Sequence, residues 1–459
     1  MQHLFPTNTY IQRRKNLQQA NLSGIGLWIG HGEPPMNYTA NTYRFRQDSS
    51  FLYLFGLSLP ELVGVMDFDS NQTILFGDEW TMDDIIWVGP QPSLKDLAAQ
   101  VGILDVRPLA QLPSYLQSQK IIHFTPPYRG ETWLKLMEWT QRPKSNLQAS
   151  TDLVQALVHL RSYKAPEEIE RMEVAVEITK QMHLAALACI QPDLYEYEIV
   201  GEVMKQVHGH HAELAYPIIF SVHGQTLHNH NHHQKMPANR LALLDAGAEE
   251  PYGYAGDITR TFPVSGKFSS QAKDLYTLVM NLEETAISNA KPGVLYRDLH
   301  LACNRQMLSG LHSLGLVRGN IDDMMEAGIA GLFMPHGLGH MIGLDVHDME
   351  DYGEQWVGYT PDLARSSQLG LKSLRLAKAL EPGFTLTVEP GIYFIPELLE
   401  KWKNEGTGMD FVQYDEISKW MEIGGIRIED NILITKQDAK VLGSRIPKSI
   451  QEIEDTPKN

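Results

Sequence analysis

Five acidic or imidazole residues, each set in an apolar, glycine-edged stretch, constrain this chain more than any other feature. Asp245 closes Leu241-Ala242-Leu243-Leu244-Asp245, and Asp257 follows in Gly256-Asp257-Ile258-Thr259-Arg260-Thr261-Phe262. His340 ends Met334-Pro335-His336-Gly337-Leu338-Gly339-His340, Glu389 ends Leu386-Thr387-Val388-Glu389 before Pro390-Gly391, and Glu429 lies in Gly425-Ile426-Arg427-Ile428-Glu429. Taken singly, each has a bland reading. A strand that ends in Asp is ordinarily a turn or a cap, and an alternating strand with Arg427 and Glu429 on one face is ordinarily wetted on that face. As a set they are harder to dismiss, because buried carboxylates are costly unless paired or bound to a cation. Four carboxylates with one imidazole suit a cage for two divalent cations; a structural zinc site favours thiolates.

The local patterns suggest how the set is assembled. The stretch from Asp245 to Asp257 is short enough for a hairpin, with Pro251 and Gly253 in its turn, so two paired strands bring both aspartates to one place. His336 and His340 have the spacing of a helical metal pair, but Gly337 and Gly339 between them predict a tight, non-helical loop.

Composition narrows the class. The 459 residues hold 39 Lys+Arg against 56 Asp+Glu, a formal net charge of −17. That balance argues against a nucleic-acid or anionic-membrane partner, since phosphate contacts need clustered Lys and Arg. Two cysteines, Cys189 and Cys303, make no disulfide framework and suit a reducing, cytoplasmic setting. No run approaches the roughly 18 apolar residues of a membrane span, and the first residues lack a signal-peptide pattern. No internal repeat of fixed period is visible.

Two domains are expected. Residues 1–150 read as mixed α/β, with strands near 24–30, 62–68, 72–76 and 121–124, and the polar stretch 141–146 marks the boundary. In residues 151–459 a long helix starts at Pro166 with Glu167 and Glu168 in its first turn. Further helices span 194–207 and run from Ser269-Ser270 to Lys291-Pro292-Gly293. Strands are expected at 241–245, 256–262, 385–389 and 425–435. Helices in one block with strands in the others make this half α+β.

The four ligand-bearing segments resemble the signature segments of the pita-bread metallopeptidases, the group that holds methionine aminopeptidase, aminopeptidase P and prolidase. The likeness covers roughly 165–445. Tyr43-Arg44-Phe45-Arg46-Gln47-Asp48-Ser49-Ser50-Phe51, followed by Phe55-Gly56, is similar to the N-terminal domain of aminopeptidase P and prolidase. The resemblance implies an N-terminal mixed α/β domain and a C-terminal pita-bread catalytic domain. It implies that Asp245, Asp257, His340, Glu389 and Glu429 bind two divalent ions, manganese, with Asp257 and Glu429 bridging and a bridging hydroxide as nucleophile. It further implies Glu389 as acid–base, His347 and His336 at the reacting carbonyl, His228 and Arg427 at the substrate, and a homodimer. The family usually shows Leu-His-Tyr at His228, whereas here Leu227-His228 runs into Asn229-His230-Asn231-His232-His233, read as a solvated loop near the mouth.

The substrate class implied is the Xaa-Pro peptide, whose bond resists most proteases because the imide nitrogen has no N–H and the ring fixes φ. Leu369-Gly370-Leu371-Lys372-Ser373-Leu374-Arg375 is similar to a prolidase stretch whose last arginine binds the dipeptide carboxylate, which favours an Xaa-Pro dipeptidase. Three alternatives stay open: an Xaa-Pro aminopeptidase acting on longer peptides, a non-catalytic peptide-binding module, and phosphoester hydrolysis as a side activity. Residues 351–368 carry no legible motif.

Overall fold

The structure is a computed structural model that describes residues 3–458, and it divides into two compact units. One comprises the chain through Arg161 together with Met349–Trp356; the other is Ser162–Asp348 with Val357–Asn459. The helix Thr151–Ser162 thus falls with the first unit except for its last residue, beyond the boundary at 150.

The first unit is built on a five-stranded sheet in the order Asp105–Arg107, Gln72–Phe76, Val63–Asp67, Ile25–Ile29, Ile122–His123. Every residue of the central Ile25–Ile29 strand is buried, as its apolar sequence requires. Val63–Asp67 and Gln72–Phe76 form the expected hairpin, with Val65 opposite Ile74. Asp67 Oδ1 closes the turn by accepting the N–H groups of Asp69 and Ser70 at 2.9 and 3.0 Å. Ile25, Leu27, Val65, Ile74 and Phe76 pack with Leu112, Leu116 and Leu136 into one core.

The Arg46-Gln47-Asp48 motif is architectural in this unit. Gln47 is fully buried; its Oε1 accepts the N–H of His31 (2.8 Å) and of Asp48 (2.9 Å), and its Nε2 donates to the Leu59 carbonyl (2.7 Å). Asp48 then caps the helix Ser49–Phe55 by accepting the Phe51 N–H, and Gly56 ends that helix at φ +70°.

In the second unit four long helices come as two pairs, Pro166–Cys189 with Glu196–Gly209 and Ser270–Asn289 with Tyr296–Ser313. Pro166 opens the first, and Glu168 Oε2 reaches back to the Ala165 N–H at 3.0 Å. Each pair is joined by the same kind of turn, Pro192-Asp193 at φ +72° and Pro292-Gly293 at φ +86°. Beside them lie two three-stranded sheets, Ile258–Pro263, Leu241–Ala246, Ile219–Ser221, and Thr385–Val388, Asp430–Ile434, Ala439–Val441, and two two-stranded ones, Glu213–Leu214 with Ala248–Glu249 and Gly391–Tyr393 with Gly425–Arg427.

Two strand expectations need correction. The run expected at 425–435 is broken: Gly425–Arg427 pairs with Gly391–Tyr393, whereas Asp430–Ile434 pairs with Thr385–Val388. The break falls at Ile428-Glu429, where the chain changes partner and the Glu429 N–H goes to the Thr259 carbonyl at 3.1 Å. Asp257 lies just ahead of the strand Ile258–Pro263, because its backbone is taken by a side chain. Asn431 Oδ1 accepts the Asp257 N–H (2.9 Å), and Asn431 Nδ2 donates to its carbonyl (2.6 Å).

Behind Glu429 lies a buried cluster of four charges. Arg260 donates to the Glu429 carbonyl (2.7 Å) and to Asp430 Oδ1 (2.7 Å), while Lys448 Nζ reaches Asp430 Oδ2 (3.0 Å) and both Glu283 oxygens (2.9 and 2.7 Å). Burial and the neighbouring Asp430 push the Glu283 carboxyl up to about 8, and Lys448 opposes that rise. Lys448→Met should therefore cost up to about 3 kcal/mol of stability, Glu283 taking a proton to avoid an unpaired buried charge. Lys440→Met, which removes an exposed pair with Glu173, should cost no more than about 0.5 kcal/mol. Thermal or urea unfolding of the two variants checks the contrast.

Candidate metal centre

Close backbone approach brings the ligand segments together. A Cβ on Gly247 would lie 1.8 Å from the Gly256 carbonyl oxygen, so the chain can touch itself there only as glycine, and the two aspartate-bearing strands meet. In the Leu241–Ala246 hairpin with Ile258–Pro263, Asp245 stands opposite Thr259. The glycine-rich loop before His340 is non-helical, as its glycines predict. It runs beside Thr385–Val388: Glu389 N–H bonds the Leu338 carbonyl (2.8 Å) and Thr387 N–H the His340 carbonyl (2.9 Å). Gly339 has no room for a Cβ, which would lie 2.2 Å from the Thr387 carbonyl oxygen.

Ligand atoms of Asp257, His340 and Glu429 lie within 4.8 Å of one another. His340 Nε2 stands 3.4 Å from Asp257 Oδ2 and 3.7 Å from Glu389 Oε1. Its Nδ1 is 3.0 Å from the Met341 carbonyl, an acceptor only, so Nδ1 carries the proton and Nε2 offers its lone pair to the carboxylates. Asp245 is tied in from two sides, by Arg427 through its guanidinium and by Tyr216. Thr259 links the remaining pieces, accepting from Arg427 Nε (3.0 Å) and donating to Glu429 Oε2 (2.7 Å).

The donor set fits divalent cations. Four carboxylates converge with one guanidinium, Arg427, bonded among them, which leaves a surplus of negative charge. Burial first, then the neighbouring Asp245, holds the Asp257 carboxyl up at about 7. Burial and Asp257, opposed by Arg427, push Glu389 up to about 8. Glu429 is raised well above the carboxylate range by burial and by Asp257 and Glu389. Oxygen donors with one imidazole nitrogen are the ligands hard to borderline divalent ions prefer, and such ions would relieve this repulsion.

Sequence reasoning missed two tyrosines. Tyr216 Oη lies 2.5 Å from Oδ1 of both Asp245 and Asp257, one hydroxyl proton serving two acceptors. Burial and the two aspartates raise that phenol well above its usual value. Tyr393 accepts from Arg427 Nη1 (2.8 Å) and meets His336 Nε2 (2.8 Å). The Gly337 carbonyl, 2.7 Å away, takes the His336 Nδ1 proton, and burial together with Arg427 pulls that imidazole down to about 3. His336 is thus a neutral ring with both nitrogens engaged. Tyr393 stands in the Glu389-Pro390-Gly391-Ile392-Tyr393 run and was within reach of a motif search; Tyr216, before Pro217, carries no local signal.

One cavity of about 600 Å³ gathers the five ligand candidates with His228, His336, His347, Arg375 and Arg427. His347 packs against His340, ring centroids 4.1 Å apart. His230 lines the same cavity, and the loop that carries it is anchored as well as solvated. Glu196, fully buried, accepts the N–H of Val222 (2.9 Å) and of Gln234 (3.3 Å), and Asn229 Nδ2 bonds Ser221 Oγ (2.9 Å).

The model for metallopeptidase family M24 matches residues 170–436, and that for the aminopeptidase P N-terminal domain matches residues 10–121. The chain belongs to metallopeptidase family M24, with a pita-bread domain that follows an aminopeptidase P-type N-terminal domain. It is similar to the Xaa-Pro dipeptidase of Rattus norvegicus, 30% identical over 94% of this chain and 88% of that protein. It is equally similar to a probable Xaa-Pro aminopeptidase of Fusarium vanettenii, 32% identical over 89% of this chain and 87% of the other. Among solved structures, aminopeptidase P from E. coli superposes with a TM-score of 0.81 over 99% of this chain and 98% of that one, at 28% identity. The chain is a metallopeptidase with a divalent-metal site.

Asp257→Asn keeps the shape and removes one of the four carboxylates that converge on the cavity. The variant should fold with a melting temperature near that of the parent, lose bound metal on dialysis and lose at least about 10³ in kcat. Metal content by mass spectrometry beside a melting curve tests this; retained metal with near-normal turnover would remove Asp257 from the centre.

Proposed function

We propose that this metallopeptidase hydrolyses the Xaa-Pro bond of dipeptides, as an Xaa-Pro dipeptidase that uses two manganese ions. The observation that carries the reading is an arginine, Arg375, in the wall of the cavity that holds the five ligand candidates. A dipeptide brings its C-terminal carboxylate close to its scissile bond, and a guanidinium reads a carboxylate with two parallel hydrogen bonds. The similarity to Xaa-Pro dipeptidases over nearly the whole chain supports it.

Asp245, Asp257, His340, Glu389 and Glu429 would hold the ions. When bound, two divalent cations lower the pKa of water, polarise the carbonyl and offset the charge of the tetrahedral species. Glu389 is the most exposed of the four carboxyls that line the cavity, at 19% of its side chain against 11% for Asp245 and 7% for Asp257. It takes the proton from water and returns it to the imide nitrogen, which has no proton of its own and needs one to leave. His347, beside His340, stabilises the developing oxyanion. His336 contributes a fixed neutral ring to the wall, and His228 contacts the substrate. Arg427 holds Asp245 directly and His336 through Tyr393. The acidic charge and the presence of only two cysteines suit the cytoplasm, and a homodimer is the assembly we expect.

A second reading, aminopeptidase P activity on longer peptides, has its own support in the N-terminal domain match and the E. coli structure. A cavity of about 600 Å³ also admits a third residue by size. Ala-Pro and Ala-Pro-Ala separate the two. Turnover of Ala-Pro with little on Ala-Pro-Ala is the expected outcome; preference for the tripeptide would make the chain an aminopeptidase P. Arg375→Ala should raise KM for Ala-Pro by about 10- to 100-fold, the worth of a charge-assisted hydrogen bond, and Ala-Pro-Ala far less. Equal losses on both peptides would count against carboxylate reading.

A further inference from the structure

The stretch 351–368, without a legible motif, leads directly to Arg375, and its latter part folds back on that residue within the second unit. Gly358 lies flat against the Arg375 backbone: a Cβ there would stand 1.8 Å from the Arg375 carbonyl oxygen and 3.1 Å from Leu376 Cα. The Gly358 carbonyl accepts the N–H groups of both Ala377 (2.8 Å) and Lys378 (2.9 Å). On the other side of Arg375, the buried Tyr359 hydroxyl donates to the Leu374 carbonyl at 2.8 Å. Tyr359, Leu374 and Ala377 form a small apolar cluster with Leu363 and Leu371. Arg365 covers the Tyr359 ring at 5.8 Å and bonds the Lys372 carbonyl at 3.1 Å.

The opposite face of the same segment is also closed. A Cβ on Gly337, next to His336, would come within 2.9 Å of Leu374 Cα, so residues 373–374 press on the catalytic loop. The segment that carries Arg375 therefore meets the His336-Gly337 loop at Ser373 and Leu374, and the Gly358-Tyr359 pair at Leu374, Arg375, Ala377 and Lys378. A long guanidinium side chain reads a carboxylate only if its root is fixed, because both hydrogen bonds must form at once.

We propose that Gly358 and Tyr359 are positioning residues for Arg375 and so set the preference for Xaa-Pro dipeptides. This inference rests on the reading of Arg375 as the carboxylate anchor. Neither residue touches substrate; they act by holding the backbone from which Arg375 reaches into the cavity.

The test is steady-state kinetics of the full-length, manganese-loaded protein on Ala-Pro and Ala-Pro-Ala, with Tyr359→Phe, Arg375→Ala and the double variant. Tyr359→Phe should raise KM for Ala-Pro about five- to tenfold, the worth of one hydrogen bond. It should leave kcat within about twofold, and it should leave both constants for Ala-Pro-Ala near those of the parent. In the Arg375→Ala background the same substitution should add less than about twofold, since the group it positions is gone. Gly358→Ala should show the same split more strongly; Tyr359→Phe carries the test should Gly358→Ala fail to fold. An equal effect of Tyr359→Phe on both peptides, or an undiminished effect in the Arg375→Ala background, would overturn the inference. If Arg375→Ala is dipeptide-selective and Tyr359→Phe is silent, only the clamp falls. If Arg375→Ala leaves Ala-Pro unchanged, the carboxylate reading falls and takes the clamp with it.

Discussion

Repulsion among Asp245, Asp257, Glu389 and Glu429 is the force that the second unit is built to contain. Four carboxylates taken out of water and crowded together would drive their segments apart or bind protons; the elevated pKa values of Asp257, Glu389 and Glu429 are the mark of that strain. Containment comes from groups that grip backbone as well as charge. Asn431 holds both the N–H and the carbonyl of Asp257, Arg260 holds the carbonyl of Glu429, and Arg427 reaches Asp245. A metal-binding cage so braced is rigid before any ion enters, which is what a centre of fixed coordination geometry needs.

The bracing has a layered order. Next to the carboxylates stand Tyr216 and Thr259, hydroxyls that link ligand to ligand. Behind them Arg427 and Tyr393 fix Asp245 and lock His336 as a neutral ring. Deeper still, Arg260, Asp430, Lys448 and Glu283 close a charge cluster that water does not reach. Each layer restricts the rotamers of the one in front of it. Glycines do the complementary work where backbones must touch, at Gly247 against Gly256 and at Gly339 against Thr387.

The ligand candidates and Arg375 line one cavity from different parts of the second unit. The cage draws on strands and one loop whose pairing is continuous with the core. Arg375 instead sits on a connecting segment held by a local clamp and by the catalytic loop. The chain is similar to dipeptidases and aminopeptidases alike.

What the sequence by itself determined is local. The five ligand candidates stood out because charge at the end of an apolar, glycine-edged strand is anomalous within a few residues of itself. Pro166 with its two glutamates, and the hairpin at 63–76, were legible for the same reason. Tertiary structure alone decided what depends on distant pairing. Tyr216 matters because it meets an aspartate 41 residues on, and Arg427 because it meets Asp245 from 182 residues away. The break at Ile428-Glu429 arises because the chain changes partner strands there, which no alternation pattern announces. The neutrality of His336 follows from Tyr393 and the Gly337 carbonyl, and the need for glycine at 358 from its contact with the Arg375 backbone. Side-chain identity records what a residue can do; only the folded chain determines which neighbours it meets.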